Sequence, residues 1–233
     1  AVANGLAVAP AMLFNKTHGL YPAAQAILEC MVEGAQVDYD TATRIESRKL
    51  AKVMVSQTTK NMITAFFFNL NAIKAGQSRP RGFAPWKPVK VGILGAGMMG
   101  AGIAVANAKK SIPCVLLDVD LKKAQQAQIL PLIHATDKVS DLQGCDLVIE
   151  AVFENRALKA QVTQEAEAVM NAAGVFASNT STLPISGLAQ ASVRPAKFIG
   201  LHFFSPVDKM RLVEIIKGAD TDDETLARAY DYV

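Results

Sequence analysis

The chain has 233 residues, of which 51% are apolar, and it carries a formal net charge of +3. This composition supports a sizeable core and excludes a disordered chain, and the charge is too small to indicate a nucleic-acid or acidic-membrane partner. Three scattered cysteines (Cys30, Cys114, Cys145) show no metal-ligand spacing, so we expect no metal and a reducing compartment. No secretory signal is visible, and the apolar run Met62–Ile73 is too short to cross a bilayer, so a buried helix is expected there.

The first third of the chain is predicted to be helical. Pro22 suits the start of a helix over Ala23–Ala35, and Asp40 is predicted to cap the next helix. The following predicted helices are Thr41–Val55 and Thr58–Ala75, the second ending at Gly76. Residues 76–88 are rich in glycine, proline and basic side chains, which indicates a linker. We therefore predict a helical connector at 1–78, a linker at 79–88 and a second domain at 89–233.

From Val89 onward, strand patterns alternate with helical patterns. The predicted strands are Val89–Leu94, Cys114–Leu117, Leu147–Ala151, Val175–Ser178 and Phe198–Phe203. The predicted helices include Met98–Lys110, Asn155–Asn171 and Leu183–Ala191, and Thr221-Asp-Asp-Glu224 predicts a capping box before a helix through Tyr230. This alternation implies an α/β fold with a Rossmann-like, doubly wound parallel sheet.

The segment Val89–Asp118 has the pattern of a dinucleotide-binding βαβ unit. A buried strand is followed by Gly95-Ala-Gly97-Met-Met-Gly100, a helix and a strand that ends in an acid. Gly95 permits the tight turn, Gly97 lets the backbone approach a pyrophosphate, and Gly100 lets the helix pack closely on the strand. The helix N-terminus offers unpaired N–H groups to phosphates. Asp118 can accept hydrogen bonds from ribose hydroxyls, which predicts NAD rather than NADP.

His202 and Glu214 form a candidate catalytic pair. They lie in Phe198-Ile-Gly-Leu-His202-Phe-Phe-Ser-Pro206 and Leu212-Val-Glu-Ile-Ile216. If both stretches are strands joined by a turn, a suitable register makes the two side chains a cross-strand pair. A carboxylate beside an imidazole fixes the tautomer and stabilises the imidazolium, as a general base for an alcohol requires. The alternative is a histidine that only forms a hydrogen bond within the sheet.

Polar side chains follow two further predicted strands. Ser178-Asn-Thr-Ser181-Thr lies at the carboxyl edge of the sheet, where it can hold a substrate oxygen or a nicotinamide amide. The alternative for this stretch is an ordinary turn that caps the next helix. Glu154 and Lys159 can reach cofactor or substrate, and the alternative for them is a solvated pair at a helix start.

Four ordered motifs together resemble those of the 3-hydroxyacyl-CoA dehydrogenases. They are Gly-Ile-Leu-Gly95-Ala-Gly-Met-Met-Gly100, Asp146-Leu-Val-Ile-Glu-Ala-Val-Phe-Glu154, Ser178-Asn-Thr-Ser181-Thr and Gly-Leu-His202-Phe-Phe-Ser-Pro206. Two helical stretches, Tyr21-Pro-Ala-Ala-Gln-Ala-Ile and Arg44-Ile-Glu-Ser-Arg, resemble the segment that precedes this domain in α subunits of fatty acid oxidation complexes and in trifunctional enzymes. The resemblance covers essentially the whole chain.

The resemblance implies roles for individual residues. His202 takes the proton of the substrate 3-hydroxyl while hydride passes from C3 to the nicotinamide, Glu214 partners His202, and Ser181 lies near the substrate oxygen. Ser205 stands where the family usually has asparagine. The cofactor-binding residues that the resemblance implies are Gly95, Gly97, Met99, Gly100, Asp118, Val152, Phe153, Glu154, Lys159, Ser181 and Ser205.

The resemblance also implies that the chain is part of a longer protein. The interval between Asp118 and Asp146 is too short for the helical hairpin that the family associates with CoA. The C-terminal helical domain that closes the substrate cleft and the preceding hydratase domain are absent from the sequence, which stops within a predicted helix. We expect the segment alone to bind NAD weakly and to turn over little substrate.

The expected function is therefore NAD-dependent oxidation of (S)-3-hydroxyacyl-CoA to 3-ketoacyl-CoA in β-oxidation, within a multifunctional enzyme that also has enoyl-CoA hydratase activity. The expected partners are an acyl-CoA substrate, other subunits of a homo-oligomer or hetero-oligomer of the complete protein and, as a candidate, a thiolase, with no nucleic acid and no indicated membrane association. The compartment would be the bacterial cytoplasm, or mitochondria or peroxisomes in a eukaryote. The alternatives are a non-catalytic NAD-binding or structural protein and a different Rossmann dehydrogenase.

Overall fold

The structure, a computed structural model, describes the backbone of residues 2–233 and the side chains from Ala7 onward. The chain forms two compact units that divide between Ser78 and Arg79, and each is described by itself. Within the described residues, no helix combines the length and the apolar character that crossing a membrane requires.

The first unit is helical. Its helices are α1 (Val2–Thr17), α2 (Pro22–Gly34), α3 (Tyr39–Met54), α4 (Gln57–Ile63) and α5 (Leu70–Lys74), with a π-helical turn (Thr64–Asn69) between α4 and α5. Pro22 occupies the first position of α2, as predicted. The π-helical turn interrupts the single helix that was predicted from Thr58 to Ala75. The helical stretch ends before Gly76, whose φ of +67° favours glycine. The prediction that the apolar run Met62–Ile73 is buried is wrong for this unit, because Phe66, Phe67 and Phe68 are exposed.

The N-terminal cap of α3 differs from the prediction. Asp38, not Asp40, is the capping residue, and its Oδ1 accepts a hydrogen bond from the backbone N–H of Thr41 at 3.0 Å. Asp38 has the extended backbone (ψ 163°) that a capping residue needs, whereas Asp40 already lies in the first helical turn. There its negative charge still interacts favourably with the positive end of the helix dipole.

The second unit is built on a seven-stranded sheet with the order β3-β2-β1-β4-β5-β6-β7. The strands are β1 (Val91–Leu94), β2 (Cys114–Leu117), β3 (Ile133–Thr136), β4 (Leu147–Glu150), β5 (Val175–Ser178), β6 (Phe198–Phe203) and β7 (Val213–Ile216). Strands β1 to β6 are parallel, and β7 is antiparallel to β6. The strand order reverses between β1 and β4, which confirms the Rossmann-like, doubly wound α/β fold.

Helices cover both faces of this sheet. They are α6 (Met98–Lys109), α7 (Leu121–Ala127), α8 (Arg156–Glu167), α9 (Ile185–Leu188) and α10 (Asp223–Tyr232). Alternate strand residues point to opposite faces: Val91 and Ile93 pack with residues of α6, α7 and α10, whereas Val148 and Phe176 pack with residues of α8 and α9. The strands are therefore buried on both sides, as a parallel sheet requires.

Two elements of this unit depart from the sequence prediction. Strand β3 and helix α7 were not predicted, because Ile133-His-Ala-Thr136 lacks a continuous apolar run and α7 is short.

The N-terminal cap of α10 also differs from the prediction. Asp222, not Thr221, is the capping residue, and it accepts a hydrogen bond from the N–H of Thr225 at 2.7 Å. The Thr221 hydroxyl instead donates to the carbonyl of Phe198 at 2.6 Å, so it anchors the turn to the sheet.

The segment predicted as a linker, 79–88, packs on the second unit. The guanidinium of Arg79 donates two hydrogen bonds to the carboxylate of Asp231 on α10, at 2.5 and 2.8 Å. The same carboxylate accepts from the backbone N–H of Trp86 at 2.9 Å. Arg228 lies over the Trp86 ring at 5.6 Å from its centre. The proline-rich segment 79–88 is therefore an ordered stretch of chain that packs on α10.

Candidate active site

Five neighbouring strands bring the predicted site residues to one edge of the sheet. Leu94, the last residue of β1, is in register with Leu117 at the end of β2 and with Glu150 at the end of β4. Glu150 is in register with Ser178 at the end of β5, and Ser178 is in register with Gly200 of β6. Because these strands are parallel, the residues that follow them emerge at the carboxyl edge, where ligands bind in open α/β sheets.

The glycine turn between β1 and α6 has the geometry that a dinucleotide-binding turn needs. Gly95 has a φ of +96°, and a Cβ there would lie 2.8 Å from the carbonyl oxygen of Ala151. A Cβ on Gly100 would collide with the carbonyl oxygen of Gly95. Gly97 is the N-terminal capping residue of α6, and a Cβ there would meet no atom within 4 Å. Gly95 and Gly100 therefore serve the turn and the packing, whereas Gly97 keeps the space before the helix open.

Asp118 follows β2 and faces this turn. Its Oδ2 accepts a hydrogen bond from the N–H of Ala96 at 2.7 Å and lies 3.3 Å from Nζ of Lys123, and its Oδ1 accepts from the N–H of Asp120 at 3.0 Å. Burial raises the pKa of Asp118, but these backbone hydrogen bonds and Lys123 outweigh it and hold the pKa below its usual range. Asp118 is therefore a fixed negative charge beside the glycine turn.

A cavity of about 330 Å³ opens in front of the turn. Its wall includes four of the predicted cofactor-binding positions beyond the glycines: Met99, Asp118, Val152 and Phe153. The Phe153 side chain is exposed, so it forms a free apolar wall. His202 does not line this cavity; it lies farther along the same edge, on β6.

His202 and Glu214 form the predicted cross-strand pair. The two residues are in register on β6 and β7, and Nδ1 of His202 lies 2.8 Å from Oε2 of Glu214. The ring of Phe204 lies 4.6 Å from the imidazole, centre to centre, and restricts its rotation. Since a carboxylate only accepts hydrogen bonds, Nδ1 carries the hydrogen and Nε2 of a neutral ring is left as an acceptor.

Glu154 binds the loop that carries Ser181. Its Oε1 accepts hydrogen bonds from the hydroxyl of Thr180 at 2.5 Å, from the N–H of Ser181 at 3.1 Å and from the N–H of Thr182 at 3.3 Å. Burial raises the pKa of Glu154, but the Thr180 hydrogen bond and the ammonium of Lys159 outweigh it and lower the pKa to about 2. Glu154 is therefore ionised at neutral pH and fixes the backbone of this loop.

Lys159 is buried, so the alternative of a solvated pair is wrong. Its side chain is 2% exposed, and Nζ lies 2.8 and 3.0 Å from the two carboxylate oxygens of Glu150 and 3.1 Å from Oε2 of Glu154. Glu150, itself 1% exposed, was not predicted as a site residue. An acid that ends a wholly apolar strand, with a lysine nine residues later, is the signal that could have identified it.

Ser205 and Asn179 complete this edge. The Ser205 hydroxyl lies 3.6 Å from the sulfur of Met98 in the first turn of α6, which brings the segment after β6 to the glycine turn. Oδ1 of Asn179, in the loop after β5, accepts from the backbone N–H of Phe203 at 2.8 Å. Asn179 belongs to the stretch that was predicted to hold a substrate oxygen or a nicotinamide amide; in the structure its Oδ1 ties the Ser181 loop to the strand of His202.

These residues fit an NAD molecule. The open space at Gly97 lies before the free N–H groups of the first turn of α6, which suits a pyrophosphate. Asp118 stands where the adenosine ribose would lie, and its charge opposes a 2′-phosphate. Among the side chains that the structure describes, no group of three or more His, Cys, Asp or Glu residues is placed to hold a metal ion.

Comparisons with known proteins show the family of this chain. Residues 90–128 and 120–233 match the family "3-hydroxyacyl-CoA dehydrogenase, NAD binding domain". The α subunit of the fatty acid oxidation complex of Shewanella baltica is 35% identical over 237 residues, which cover 91% of this chain and 33% of that protein. The chain therefore spans about a third of the length of the curated relatives that it matches.

Solved structures give the same family. (S)-3-hydroxybutyryl-CoA dehydrogenase from Ralstonia eutropha is 32% identical with a TM-score of 0.58, over 63% of this chain and 62% of that one. A 3-hydroxyacyl-CoA dehydrogenase from Archaeoglobus fulgidus is 38% identical with a TM-score of 0.56, over 60% and 50% of the two chains. The chain belongs to the 3-hydroxyacyl-CoA dehydrogenase family, and its second unit contains the NAD-binding domain of that family.

Proposed function

We propose that the protein oxidises (S)-3-hydroxyacyl-CoA to 3-ketoacyl-CoA in fatty acid β-oxidation, with NAD as the hydride acceptor. The observation that carries this proposal is the His202–Glu214 pair, 2.8 Å apart, on the sheet edge that also holds the dinucleotide turn. A dinucleotide fold alone supports many reactions, whereas an oriented imidazole at the same edge supplies the base that alcohol oxidation needs.

In this proposal His202 moves the proton of the reacting alcohol. Nε2 accepts the proton of the 3-hydroxyl, and the ring becomes an imidazolium whose charge Glu214 offsets. In the reverse direction the imidazolium donates the same proton to the 3-keto oxygen. The antiparallel register of β6 and β7 holds the ring in place before substrate binds.

The glycine turn and Asp118 hold and orient the cofactor in this proposal. The N–H groups before α6 and the backbone at Met99 bind the pyrophosphate, Asp118 binds the ribose, and Val152 and Phe153 form the wall of the cavity. NAD, when bound, supplies the hydride acceptor for C3. Ser181 and Ser205, on loops at the His202 end, are proposed to contact the nicotinamide side and the substrate oxygen, with Ser181 held by Glu154.

The test is reduction of acetoacetyl-CoA by the complete protein, of which this chain is expected to be a part, followed as loss of NADH absorbance, with NADH binding measured separately by fluorescence. We expect His202→Ala to abolish turnover and to leave NADH binding unchanged. His134→Ala is the matched control, because His134 is an exposed histidine on β3, away from this site. Near-normal turnover in His202→Ala contradicts the role of His202. A protein that binds NADH but reduces no acyl-CoA would instead be a non-catalytic NAD-binding protein.

The assembly is part of the same proposal. The relatives are named as α subunits of a fatty acid oxidation complex, which supports a multi-subunit assembly with an acyl-CoA substrate. We extend this to a hydratase activity in the complete protein and to a thiolase subunit as partner, both implied by the sequence resemblance. The bacterial origin of these relatives favours the cytoplasm as the compartment.

A further inference from the structure

A buried ion pair lies directly beneath the proposed site. Glu150 and Lys159 are 1% and 2% exposed, and both carboxylate oxygens of Glu150 contact the ammonium, at 2.8 and 3.0 Å. The same carboxylate accepts from the N–H of Val152 at 2.8 Å and from the hydroxyl of Ser178 at 2.7 Å. Glu150 is thus held by Lys159 of α8, by Ser178 of β5 and by the backbone of Val152, just after β4.

The ammonium of Lys159 is saturated by carboxylates. It has three N–H donors, and three carboxylate oxygens lie within 3.1 Å: two from Glu150 and Oε2 of Glu154. Of the three residues, Glu154 is the one that reaches the surface, with 37% of its side chain exposed. Lys159 therefore transmits the position of the buried Glu150 to the partly exposed Glu154.

Glu154 in turn holds the loop of Ser181. Its Oε1 accepts from the N–H groups of Ser181 and Thr182 and from the Thr180 hydroxyl. The other side of this loop is tied to the His202 strand, where Asn179 accepts from the backbone next to His202. The loop is therefore fixed between the ion-pair chain and the catalytic strand.

Stability alone does not account for a buried ion pair at this place. Removing two charges from water costs about as much as their attraction returns, and apolar side chains of similar size commonly serve stability equally well. A charged pair does, however, fix the direction of its neighbours, because each oxygen and each N–H must find a partner. We propose that Glu150 is a positioning residue, which acts through Lys159 and Glu154 to set the loop that carries Ser181.

The catalytic consequence of this proposal rests on the proposed dehydrogenase function. The claim that Glu150 positions the Ser181 loop does not depend on that function. Replacing Glu150 by glutamine leaves a buried ammonium with Glu154 as its remaining counter-ion. That ammonium draws the Glu154 carboxylate inward, and the hydrogen bonds from Ser181 and Thr182 to Oε1 loosen. The effect is therefore local to the loop that Glu154 holds, which contains Ser181 and Thr182.

The first experiment is amide hydrogen exchange, read at Ser181 and Thr182, in Glu150→Gln and in a matched control, Glu167→Gln. Like Glu150, Glu167 is a buried glutamate, with 8% of its surface exposed. It lies on α8 and accepts hydrogen bonds from Ser192 and Val193, away from the site. We expect exchange of the two loop amides about tenfold faster in Glu150→Gln and unchanged in Glu167→Gln. Unchanged exchange in Glu150→Gln, or equal acceleration in both variants, overturns the proposal.

A second set of variants covers the case in which Glu150→Gln does not fold. Lys159→Met removes the ammonium that anchors Glu154 but leaves the Glu150 carboxylate without its counter-ion, whereas the double variant Glu150→Gln/Lys159→Met leaves no unpaired buried charge. Because Glu150 acts through Lys159, we expect the same fast loop exchange in both, with no added effect of Glu150→Gln. Wild-type exchange in Lys159→Met, or a further large acceleration in the double variant, overturns the proposal.

The catalytic readout separates this proposal from the proposed function. With acetoacetyl-CoA, we expect Glu150→Gln to lower kcat about tenfold and Glu167→Gln to leave kcat within about twofold. Fast loop exchange with an unchanged kcat overturns the catalytic part. If the unmodified protein reduces no acetoacetyl-CoA but the exchange results are as expected, the positioning role stands and the proposed function fails.

Discussion

Nδ1 of His202 lies 2.8 Å from Oε2 of Glu214, and the two residues face each other in register on antiparallel strands. Backbone pairing of the strands therefore sets the direction of the imidazole before a ligand arrives. The imidazole is 20% exposed and the carboxylate 54%, so water competes for Glu214 more than for His202. Glu214 is therefore a partly solvated carboxylate whose role is to orient the imidazole of His202.

We therefore expect Glu214→Gln to lower kcat for acetoacetyl-CoA reduction by about 10²-fold to 10⁴-fold. Glutamine keeps the size of the side chain but removes the negative charge that offsets the imidazolium. NADH binding, followed by fluorescence, should not change, because Glu214 does not line the dinucleotide cavity. Asp220→Asn, a neutralised acid at an exposed position after β7, is the control. A kcat within about twofold of the unmodified protein would contradict the role of Glu214.

Two glycines of the same turn should respond in opposite ways. Gly97→Ala adds a methyl group to open space, so we expect an unchanged melting temperature and NADH binding weakened about tenfold or more, since the methyl group occupies the pyrophosphate site. Gly100→Ala forces the helix away from the Gly95 carbonyl, and we expect a loss of about 1–3 kcal/mol of stability. Thermal unfolding and NADH titration of both variants measure the difference. Equal effects of the two variants on both quantities would sink this interpretation.

The fold could be predicted from the sequence wherever the local hydrophobic pattern of a segment matches its burial in the folded sheet. The apolar strands after Val89 alternate with helices, and the resulting Rossmann-like sheet is confirmed. Strand β3 escaped prediction because it has only four residues and His134 interrupts its apolar run. The cap of α3 was misplaced because Asp38 and Asp40 carry the same side chain, and only the backbone angles distinguish them.

The site shows a similar division. The spacing of His202 and Glu214 allowed a cross-strand pair only if both stretches were strands in a suitable register, and the structure supplies that register. The burial of Lys159 was not predictable from a helix-start pattern, since it depends on Glu150 approaching from a neighbouring strand. The role of Glu150 was not predicted, because Glu150 ends a strand whose four residues are all buried and whose other three are apolar.

The cofactor preference should depend on the charge of Asp118. Its carboxylate lies beside the proposed ribose position, and Lys123 lies 3.3 Å away from Oδ2. In Asp118→Asn the repulsion of a 2′-phosphate is lost and Lys123 is released, so we expect the ratio of the NADPH and NADH dissociation constants to fall about tenfold. Adding Lys123→Gln should remove part of this gain. An unchanged ratio in Asp118→Asn would mean that Asp118 does not select the cofactor.

The low pKa of Glu154, about 2, predicts a dependence of stability on pH. A carboxyl whose pKa is lower in the folded protein than in the unfolded chain stabilises the fold above its unfolded value, near 4.5, and loses this contribution as the pH falls toward 2. We expect Glu154→Gln to unfold at a lower temperature than the unmodified protein at about pH 6. The difference should shrink steadily as the pH is lowered from about 5 to about 3.

Thermal unfolding across this range, with Asp220→Asn as an exposed control, measures the effect. Because the Glu154 side chain is 37% exposed, water screens part of its interaction with Lys159 and the difference should be modest. Its sign is nevertheless fixed, since protonation removes the acceptor charge that holds Thr180 and Ser181. A difference between Glu154→Gln and the unmodified protein that stays constant down to about pH 3 would show that Glu154 does not titrate as this network requires.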